Sequence, residues 1–226
     1  AGDPARFDRT RALDGQTLLD VVRASQPEAW KKHERRNPGK AEAVFLDSFC
    51  KEVQKRSLLD VLRRGFSILG VAFRVVFWQP ENDLNPETVA LHRRNVLHCT
   101  RQLRYSPHNE NSVDVTLLVN GIPVVCLELK NPFTGQTVEH AMRQFRYDRS
   151  PDDLFFAFKR RVLTCFAVDL YHVRMTTRLQ GADTVFLPFD QGSNGAGEVG
   201  GAGNPVSPDG DYATAYLWKR VLRADS

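Results

Sequence analysis

The sequence predicts a protein of the α/β (α+β) class, with a helical N-terminal part followed by a centre rich in strands. Apolar residues recur every three or four positions through much of 16–65, which is the spacing of a buried helix face. Strand-forming residues in a period-two pattern occupy Ser112–Leu118 and Ile122–Lys130, and the Asn120-Gly121 pair between them is a strong hairpin signal. Both patterns within 226 residues indicate one soluble domain of mixed class.

The N-terminal part is expected to hold several helices. The segments LLDVVRA, AVFLDSFCKEV and LLDVLRR each place apolar residues three and four positions apart, and Asn37-Pro38-Gly39 interrupts the series. Further along, Phe73–Trp78 has the composition of a strand and ends at Pro80. The following stretch, Glu81–Pro86, predicts a turn.

The middle of the chain predicts a sheet followed by a helix. A strand is expected at Val96–Tyr105, and Ser106–Asn111 is a polar loop before the hairpin. The second hairpin strand is expected to be central, because its apolar run is nearly continuous. After Asn131-Pro132, Thr134 or Thr137 is expected to cap a helix that runs to about Arg149. The buried stripe of that helix comprises Val138, Ala141, Met142 and Phe145.

The C-terminal third predicts one more hairpin and a loop. Val162–Val168 and Val173–Thr177 read as paired strands, with Asp169 as a turn residue between them. Gln191–Asp211 is rich in Gly, Asn, Pro and Ser, which predicts a mobile loop. The helix-like Tyr212–Leu222 is expected to dock back or to lead into a further domain.

The central hairpin carries two acidic residues, and the geometry of its turn decides whether they meet. A strict two-residue loop at Asn120-Gly121 sets Asp114 opposite Leu127. Asp114 and Glu128 then lie on different faces of the sheet, because successive side chains of a strand alternate between faces. Such an arrangement excludes a shared metal ion.

A three-residue loop gives the opposite result. If Val119–Gly121 form the loop, with a bulge at its end, Asp114 lies opposite Cys126. Glu128 is then diagonal to Asp114 on the same face, within about 7–8 Å between Cβ atoms. Lys130, two residues further along, points the same way. We therefore predict the bulged three-residue turn.

These residue types together suit a metal-dependent nuclease. Asp114, Glu128 and a main-chain carbonyl near Leu129 offer the oxygen ligands that Mg²⁺ prefers, and Mn²⁺ is a possible substitute. Lys130 beside them is suited to orient an attacking water and to offset developing negative charge. The alternative is an exposed sheet face that carries charged residues without any chemistry.

Polar residues of the predicted helix and of the preceding strand extend this candidate site. His140, Gln144 and Tyr147 recur at helical spacing, and the Gln and Tyr are suited to bind a phosphate or a water. Arginines on the same two elements are candidates to contact a DNA backbone; they are Arg101, Arg104, Arg143, Arg146 and Arg149. The alternative for the helix is a solvated basic surface. His108, in the loop before Asp114, is expected to be a solvated loop residue, with a metal ligand as the alternative, and the sequence assigns His140 no role.

Composition limits the other classes of protein. The formal charge of +4 is too modest to identify a nucleic-acid binder, although basic residues occur in local clusters such as Lys159-Arg160-Arg161. No apolar run is long enough for a membrane span or a signal peptide, so a cytoplasmic protein is expected. The four widely spaced cysteines are expected to be buried free thiols; they are Cys50, Cys99, Cys126 and Cys165.

At the level of motifs, the chain resembles a known family. The run RQLRYSPHNENSVDVTLLVNGIPVVCLELKNPFTGQTVEHAMRQFRYDR, followed by FAVD, MTTRL and FLPFDQG, is similar to the nuclease region of the restriction (motor) subunit of type I restriction-modification enzymes. The similarity continues through SQPEAW and LLDVLRRG upstream and AGNP and AYLWKRVL downstream, so it covers nearly the whole chain.

That resemblance implies a PD-(D/E)xK restriction-endonuclease-like fold, in which a mixed sheet is flanked by helices. Asp114, Glu128 and Lys130 match the catalytic positions of such enzymes. Relatives commonly carry a QxxxY pair in the following helix, whereas Gln144 and Tyr147 here are one residue closer. The implied organisation is a helical part at 1–70, a nuclease core at 71–190 and a flexible linker at 191–226 towards a motor domain.

The activity implied is Mg²⁺-dependent endonuclease cleavage of double-stranded DNA by the restriction (R) subunit. Its expected partners are DNA and the modification and specificity subunits, and no membrane. ATP is expected to act only through the motor, because the chain has no GxxxxGK[ST] phosphate loop. Two alternatives stay open: a repair or recombination nuclease with the same fold, and a non-catalytic DNA-binding or subunit-docking module.

Overall fold

A computed structural model describes residues 2–194, 201–207 and 209–223. Its N-terminal part is helical, as predicted, and a turn at residues 37–40 separates the second helix from the third. The helices are α1 (Gly15–Ser25), α2 (Pro27–Arg36), α3 (Ala41–Arg56) and α4 (Leu58–Arg64). They share one apolar core, in which Trp30, Phe45 and Phe49 are buried.

The segment between this helical part and the main sheet differs from the prediction. A small hairpin, β1 (Phe66–Ile68) and β2 (Val71–Phe73), follows α4, so the predicted strand at Phe73–Trp78 is wrong beyond its first residue. Leu69 and Gly70 turn the hairpin with positive φ angles of 48° and 75°. A short helix not expected from the sequence, α5 (Pro86–His92), begins where Asn85 accepts two hydrogen bonds from the first turn.

The main sheet has six strands in chain order, and it is mixed, which confirms the predicted fold class. All neighbours are antiparallel except the third and fourth strands. The strands are β3 (Leu97–Arg104), β4 (Ser112–Val119), β5 (Ile122–Leu129), β6 (Thr164–Val168), β7 (Val173–Thr176) and β8 (Leu187–Pro188). The expected strands at 96–105, 112–118, 122–130, 162–168 and 173–177 are confirmed to within a few residues, and β5 is central as predicted.

One helix crosses over the sheet, and its presence explains the single parallel pair. Parallel neighbours need a long connection, and α6 (Val138–Tyr147) lies between β5 and β6 in the chain. Thr137 caps this helix, and its predicted stripe of Val138, Ala141, Met142 and Phe145 is buried. The stripe packs on the sheet face that carries Cys126 and Cys165.

Residues from the C-terminal part of the chain cover the other face of the sheet. A π-helical turn at Leu217–Val221 replaces the longer predicted helix, and it docks back, as expected. Tyr216 and Leu217 pack against Leu127, Phe166 and Val168. The described part of the predicted mobile loop at 191–211 holds no helix or strand, and residues 195–200 and 208 of that prediction lie outside the described residues.

The turn of the central hairpin is not the one predicted. Val119 pairs with Ile122 across a two-residue loop, in which Asn120 and Gly121 have φ angles of 51° and 81°. The buried Asn120 amide donates to the Val75 carbonyl at 2.7 Å, and its oxygen accepts from the Val96 N–H at 2.6 Å. These contacts fix the tight turn, so the expected three-residue loop is wrong.

A bulge nevertheless lies further along the same hairpin. Leu118 pairs with Pro123 whereas Leu117 pairs with Val125, so Val124 is an extra residue on β5. Proline lacks an amide hydrogen for the ladder and is tolerated at bulges. The extra residue shifts the register of every later residue pair by one position, so that side chains which would lie on opposite faces of the sheet lie on the same face. A longer loop had been expected to produce this shift.

Two further expectations have mixed outcomes. All four cysteines are free, as predicted, but Cys99 is exposed and Cys50 is half-buried. Cys99 is exposed because it lies in the edge strand β3. Among the described residues, no helix is long and apolar enough to cross a membrane.

Candidate active site

The bulge brings the two predicted acidic residues to one face of the sheet. Val115 pairs with Leu127, so Asp114 lies across from Glu128 as the next pair of the ladder. Directly opposed residues of antiparallel strands point to the same side. The predicted pairing of Asp114 with Cys126 is wrong, because Thr116 occupies that position.

Asp114 is half-buried and is held by two hydrogen bonds, one to each carboxylate oxygen. The main-chain N–H of Leu129, at the end of β5, donates to Oδ2 at 2.7 Å. The Gln102 side-chain amide, from β3, donates to Oδ1 at 2.8 Å. The carboxylate is therefore fixed between the strands on either side of its own.

Glu128 is fully buried, and among the residues that the structure describes only one of its oxygens is paired. Oε1 accepts two hydrogen bonds from Arg149, from Nε at 2.9 Å and from a terminal nitrogen at 2.6 Å. Oε2 is buried and has no hydrogen-bond partner among the described residues. A buried carboxylate oxygen without a partner is costly, so it marks a position where a cation or a water is expected to bind.

Arg149 is 5% exposed and lies just beyond the end of α6. Besides Glu128 it donates to the Ser112 carbonyl at 2.8 Å, and its guanidinium lies 5.8 Å from the centre of the Tyr105 ring. Because Arg149 is buried in this network, the expectation that it contacts DNA is wrong. It instead supplies the positive charge that the buried Glu128 needs.

The electrostatics of Glu128 follow from its burial. The pKa of its carboxyl group is raised to about 7, because loss of solvent and the neighbouring Asp114 together outweigh the lowering effects of Arg149 and Lys130. Near neutral pH the protein alone therefore does not fully stabilise the charged form. A cation at the unpaired oxygen would supply the missing positive charge.

Lys130 reaches the same region from the end of β5. Its main-chain N–H donates to the Val168 carbonyl at 2.8 Å, which anchors it to β6. Its ammonium group donates to Oε1 of Gln144 at 2.6 Å, and Gln144 lies on α6 above this face of the sheet. A hydrogen bond therefore links Lys130 at the end of β5 to Gln144 on the crossover helix, whereas the sequence had suggested Gln144 only as a ligand for a phosphate or a water.

Among the described residues, the other predicted site residues form no hydrogen bond or ion pair with this group. Tyr147 is 66% exposed, and within the described chain no hydrogen bond of its hydroxyl group is found. Arg101 and Arg143 are exposed, and Arg104 forms an ion pair with Glu110 at 2.9 Å. Arg146 is half-buried and donates to the Thr184 carbonyl at 3.1 Å.

Both histidines have local partners. His140 accepts from the Thr137 N–H at 3.1 Å and so completes the cap of α6. His108 is an exposed loop residue whose main-chain N–H donates to the Ser106 hydroxyl at 3.1 Å. Asp169 is the expected turn residue, and it also accepts from the Val138 N–H at the start of α6, at 2.8 Å.

Sequence reasoning missed two residues of this group. Gln102 becomes recognisable only when the register of β3 against β4 is known, because that register puts it across from Asp114. Arg149 was recognised as basic, but the helix pattern gives no sign that it turns inward. A buried glutamate on a central strand needs a cationic partner, and that requirement was the available signal.

The oxygen atoms present fit a hard divalent cation. Asp114 lies near the start of β4, and Glu128 and the Leu129 carbonyl lie at the adjacent end of β5, where Leu129 is partly exposed. In the described part of the chain, no three or more His, Cys, Asp or Glu residues gather as metal ligands. Two carboxylates and a carbonyl leave positions for water and a phosphate, which is the usual arrangement for Mg²⁺.

No curated protein and no solved structure matches the chain. The family model described as type I restriction enzyme R protein N terminus matches residues 22–184, a span that includes the four main helices from Val22 onward, the central hairpin and α6. The chain therefore belongs to the family of the type I restriction enzyme R protein N terminus.

Proposed function

We propose that this chain is the nuclease domain of a type I restriction enzyme R subunit and that it hydrolyses phosphodiester bonds of double-stranded DNA with the help of Mg²⁺. The observation that carries this proposal is the buried Oε2 of Glu128, which has no hydrogen-bond partner in the described part of the chain and lies on the sheet face that also holds Asp114 and Lys130. Membership of the R-protein family supports the assignment of this chemistry to a type I restriction enzyme.

Three groups would hold the cation: the carboxylates of Asp114 and Glu128 and the main-chain carbonyl of Leu129. Mn²⁺ is expected to substitute for Mg²⁺, because both accept oxygen ligands. When bound, such a cation polarises a scissile phosphate and lowers the pKa of a water molecule. Arg149 leaves Oε2 of Glu128 available, because it occupies only Oε1.

Lys130 is proposed to act on the reacting atoms. Its ammonium group donates hydrogen bonds, so it can orient the attacking water and stabilise negative charge that develops on the phosphate. Gln144 holds the Lys130 ammonium at 2.6 Å and so limits the positions that this flexible side chain adopts. Tyr147 is also proposed as a catalytic residue, which would act on bound DNA.

The proposed partners are DNA and the modification and specificity subunits of a restriction complex. The exposed Arg101 and Arg143 are suited to contact phosphates, whereas Arg104 and Arg146 would first have to leave Glu110 and Thr184. Contacts to phosphates add affinity without reading sequence. ATP would act only through a motor domain outside these residues.

Plasmid nicking in the presence of Mn²⁺ tests the proposal. We expect the wild-type chain to convert supercoiled plasmid to open circles. The nicking rate of Asp114→Asn is expected to be lower by a factor of at least about 100, because the variant lacks the negative charge of one proposed metal ligand. Asp83→Asn, a change in an exposed loop, is the matched control and is expected to cut normally. Equal cutting by Asp114→Asn and wild type, or no cutting by the wild-type chain, would contradict the proposal.

A further inference from the structure

Gln102 has a backbone conformation that is unusual for a residue within a β-strand. It lies in the edge strand β3 with a φ of 49°, in the left-handed region, although it is not glycine. Its neighbours keep the ladder, since Arg101 pairs with Val115 and Leu103 pairs with Val113. A non-glycine residue in this region is strained, because its Cβ atom lies too close to the following carbonyl oxygen.

The side chain of this strained residue is engaged at both ends. Its amide nitrogen donates to Oδ1 of Asp114 at 2.8 Å, and its amide oxygen accepts from the Ser112 hydroxyl at 2.9 Å. The first contact sets the orientation of the amide, because an ionised carboxylate only accepts hydrogen bonds and the nitrogen end of the amide is the donor. The nitrogen end is thereby directed at the Asp114 carboxylate.

We propose that Gln102 is a positioning residue, which fixes the plane of the Asp114 carboxylate for cation binding; this inference rests on the proposed function above. Asp114 is only half-buried, so packing alone does not fix its carboxylate. The Leu129 N–H holds one oxygen from β5, and Gln102 holds the other from β3. With two donors the carboxylate loses little rotational freedom when a cation binds, which raises affinity.

The backbone strain supports a functional role over a structural one. Strained conformations persist where the surrounding structure holds them, and they cluster at functional sites. Gln102 is exposed on an edge strand, so its side chain adds little to the core. Glycine at this position would relieve the strain, and the two hydrogen bonds of the amide are what glycine cannot supply.

Replacing Gln102 by glycine separates the two roles. In Gln102→Gly we expect an unchanged or higher free energy of unfolding, because the left-handed backbone suits glycine. We also expect the Mn²⁺ dissociation constant, measured by calorimetry, to rise about tenfold, since the carboxylate then keeps one donor. Gln102→Met, which keeps the length of the side chain but not its amide, is expected to weaken Mn²⁺ binding similarly.

Leu69→Gly is the matched control, because Leu69 is also left-handed, at φ 48°, and 66% exposed, but lies in the β1–β2 turn. It is expected to leave Mn²⁺ binding unchanged.

Equal Mn²⁺ affinity in Gln102→Gly and wild type would overturn the inference and leave the proposed function standing. A loss of unfolding free energy in Gln102→Gly greater than in Leu69→Gly would assign Gln102 a structural role and also overturn it. A wild-type chain without Mn²⁺ binding would instead contradict the proposed function.

Discussion

At the scale of single residues, the pair of Glu128 and Arg149 is the unusual feature of this protein. Both side chains are almost completely buried, with a shortest N–O distance of 2.6 Å. A buried ion pair adds little net stability, since desolvation offsets the attraction between the charges. The pair is therefore weak evidence for a stabilising role, and the cation site proposed above would give the buried carboxylate a function.

The first prediction concerns the loss of one partner of this pair. Arg149→Met is expected to lower the free energy of unfolding in urea by about 3–5 kcal/mol, because Glu128 is then buried without its counter-charge. The double variant Arg149→Met with Glu128→Gln removes the stranded charge and is expected to recover much of that loss. Unfolding curves that coincide for wild type and Arg149→Met would show that the pair is not buried as described.

At the scale of elements, the central hairpin shows what sequence patterns can and cannot predict. The strands and the Asn120-Gly121 turn followed from local residue preferences. The position of the bulge did not, because Asn-Gly suits both loop lengths and only contacts with Val75 and Val96 select the shorter one. Pro123 was the overlooked signal, since proline within a strand favours a bulge.

The second prediction tests how this turn is anchored. A Cβ atom at Gly121 would lie 2.2 Å from the main-chain oxygen of Asp14, and Gly121 has a φ of 81°. Gly121→Ala is therefore expected to cost more than the 1–2 kcal/mol or so of a left-handed alanine alone. Gly39→Ala is the matched control, because Gly39 has a φ of 71° and open space around it. Equal losses of stability in thermal unfolding would show that the turn does not contact the start of α1.

A third prediction concerns pH and the end of the sheet beyond β7. Burial raises the pKa of the Asp190 carboxyl group, but hydrogen bonds from the Val173 N–H, Arg174 and His172 outweigh burial and leave it below its usual value. A lowered pKa in the folded state adds stability above the unfolded pKa, near 3.9, and that stability is lost as the pH falls through the folded pKa.

Asp190→Asn is accordingly expected to cost about 1–3 kcal/mol at pH 7, because it removes the charged acceptor. The difference from wild type is expected to shrink as the pH falls below 4 towards 2. Urea unfolding at a series of pH values measures it. A difference that stays constant from pH 7 to pH 2 would mean that Asp190 contributes nothing through its charge.

At the scale of the whole molecule, the sequence predicted the class of fold and most of its elements. Local signals sufficed for the helical N-terminal part, α6 and the strands of the sheet. They could not predict the β1–β2 hairpin or the outcome at Phe73–Trp78, because those depend on packing against the helices. They also missed α5, which buries no residue and therefore has no buried apolar stripe to recognise. Of the candidate site, the residues on β5 and α6 were recognisable, whereas the partners that hold them come from distant parts of the chain.

The account as a whole depends on one claim, that Asp114 and Glu128 share a divalent cation. Crystals of the wild-type chain soaked in Mn²⁺, with diffraction recorded at a wavelength where manganese scatters anomalously, test it most directly. The predicted result is one anomalous peak roughly 2.0–2.4 Å from an oxygen of each carboxylate, which Glu128→Gln weakens or removes. A saturating soak that leaves no peak between these two side chains would contradict the claim.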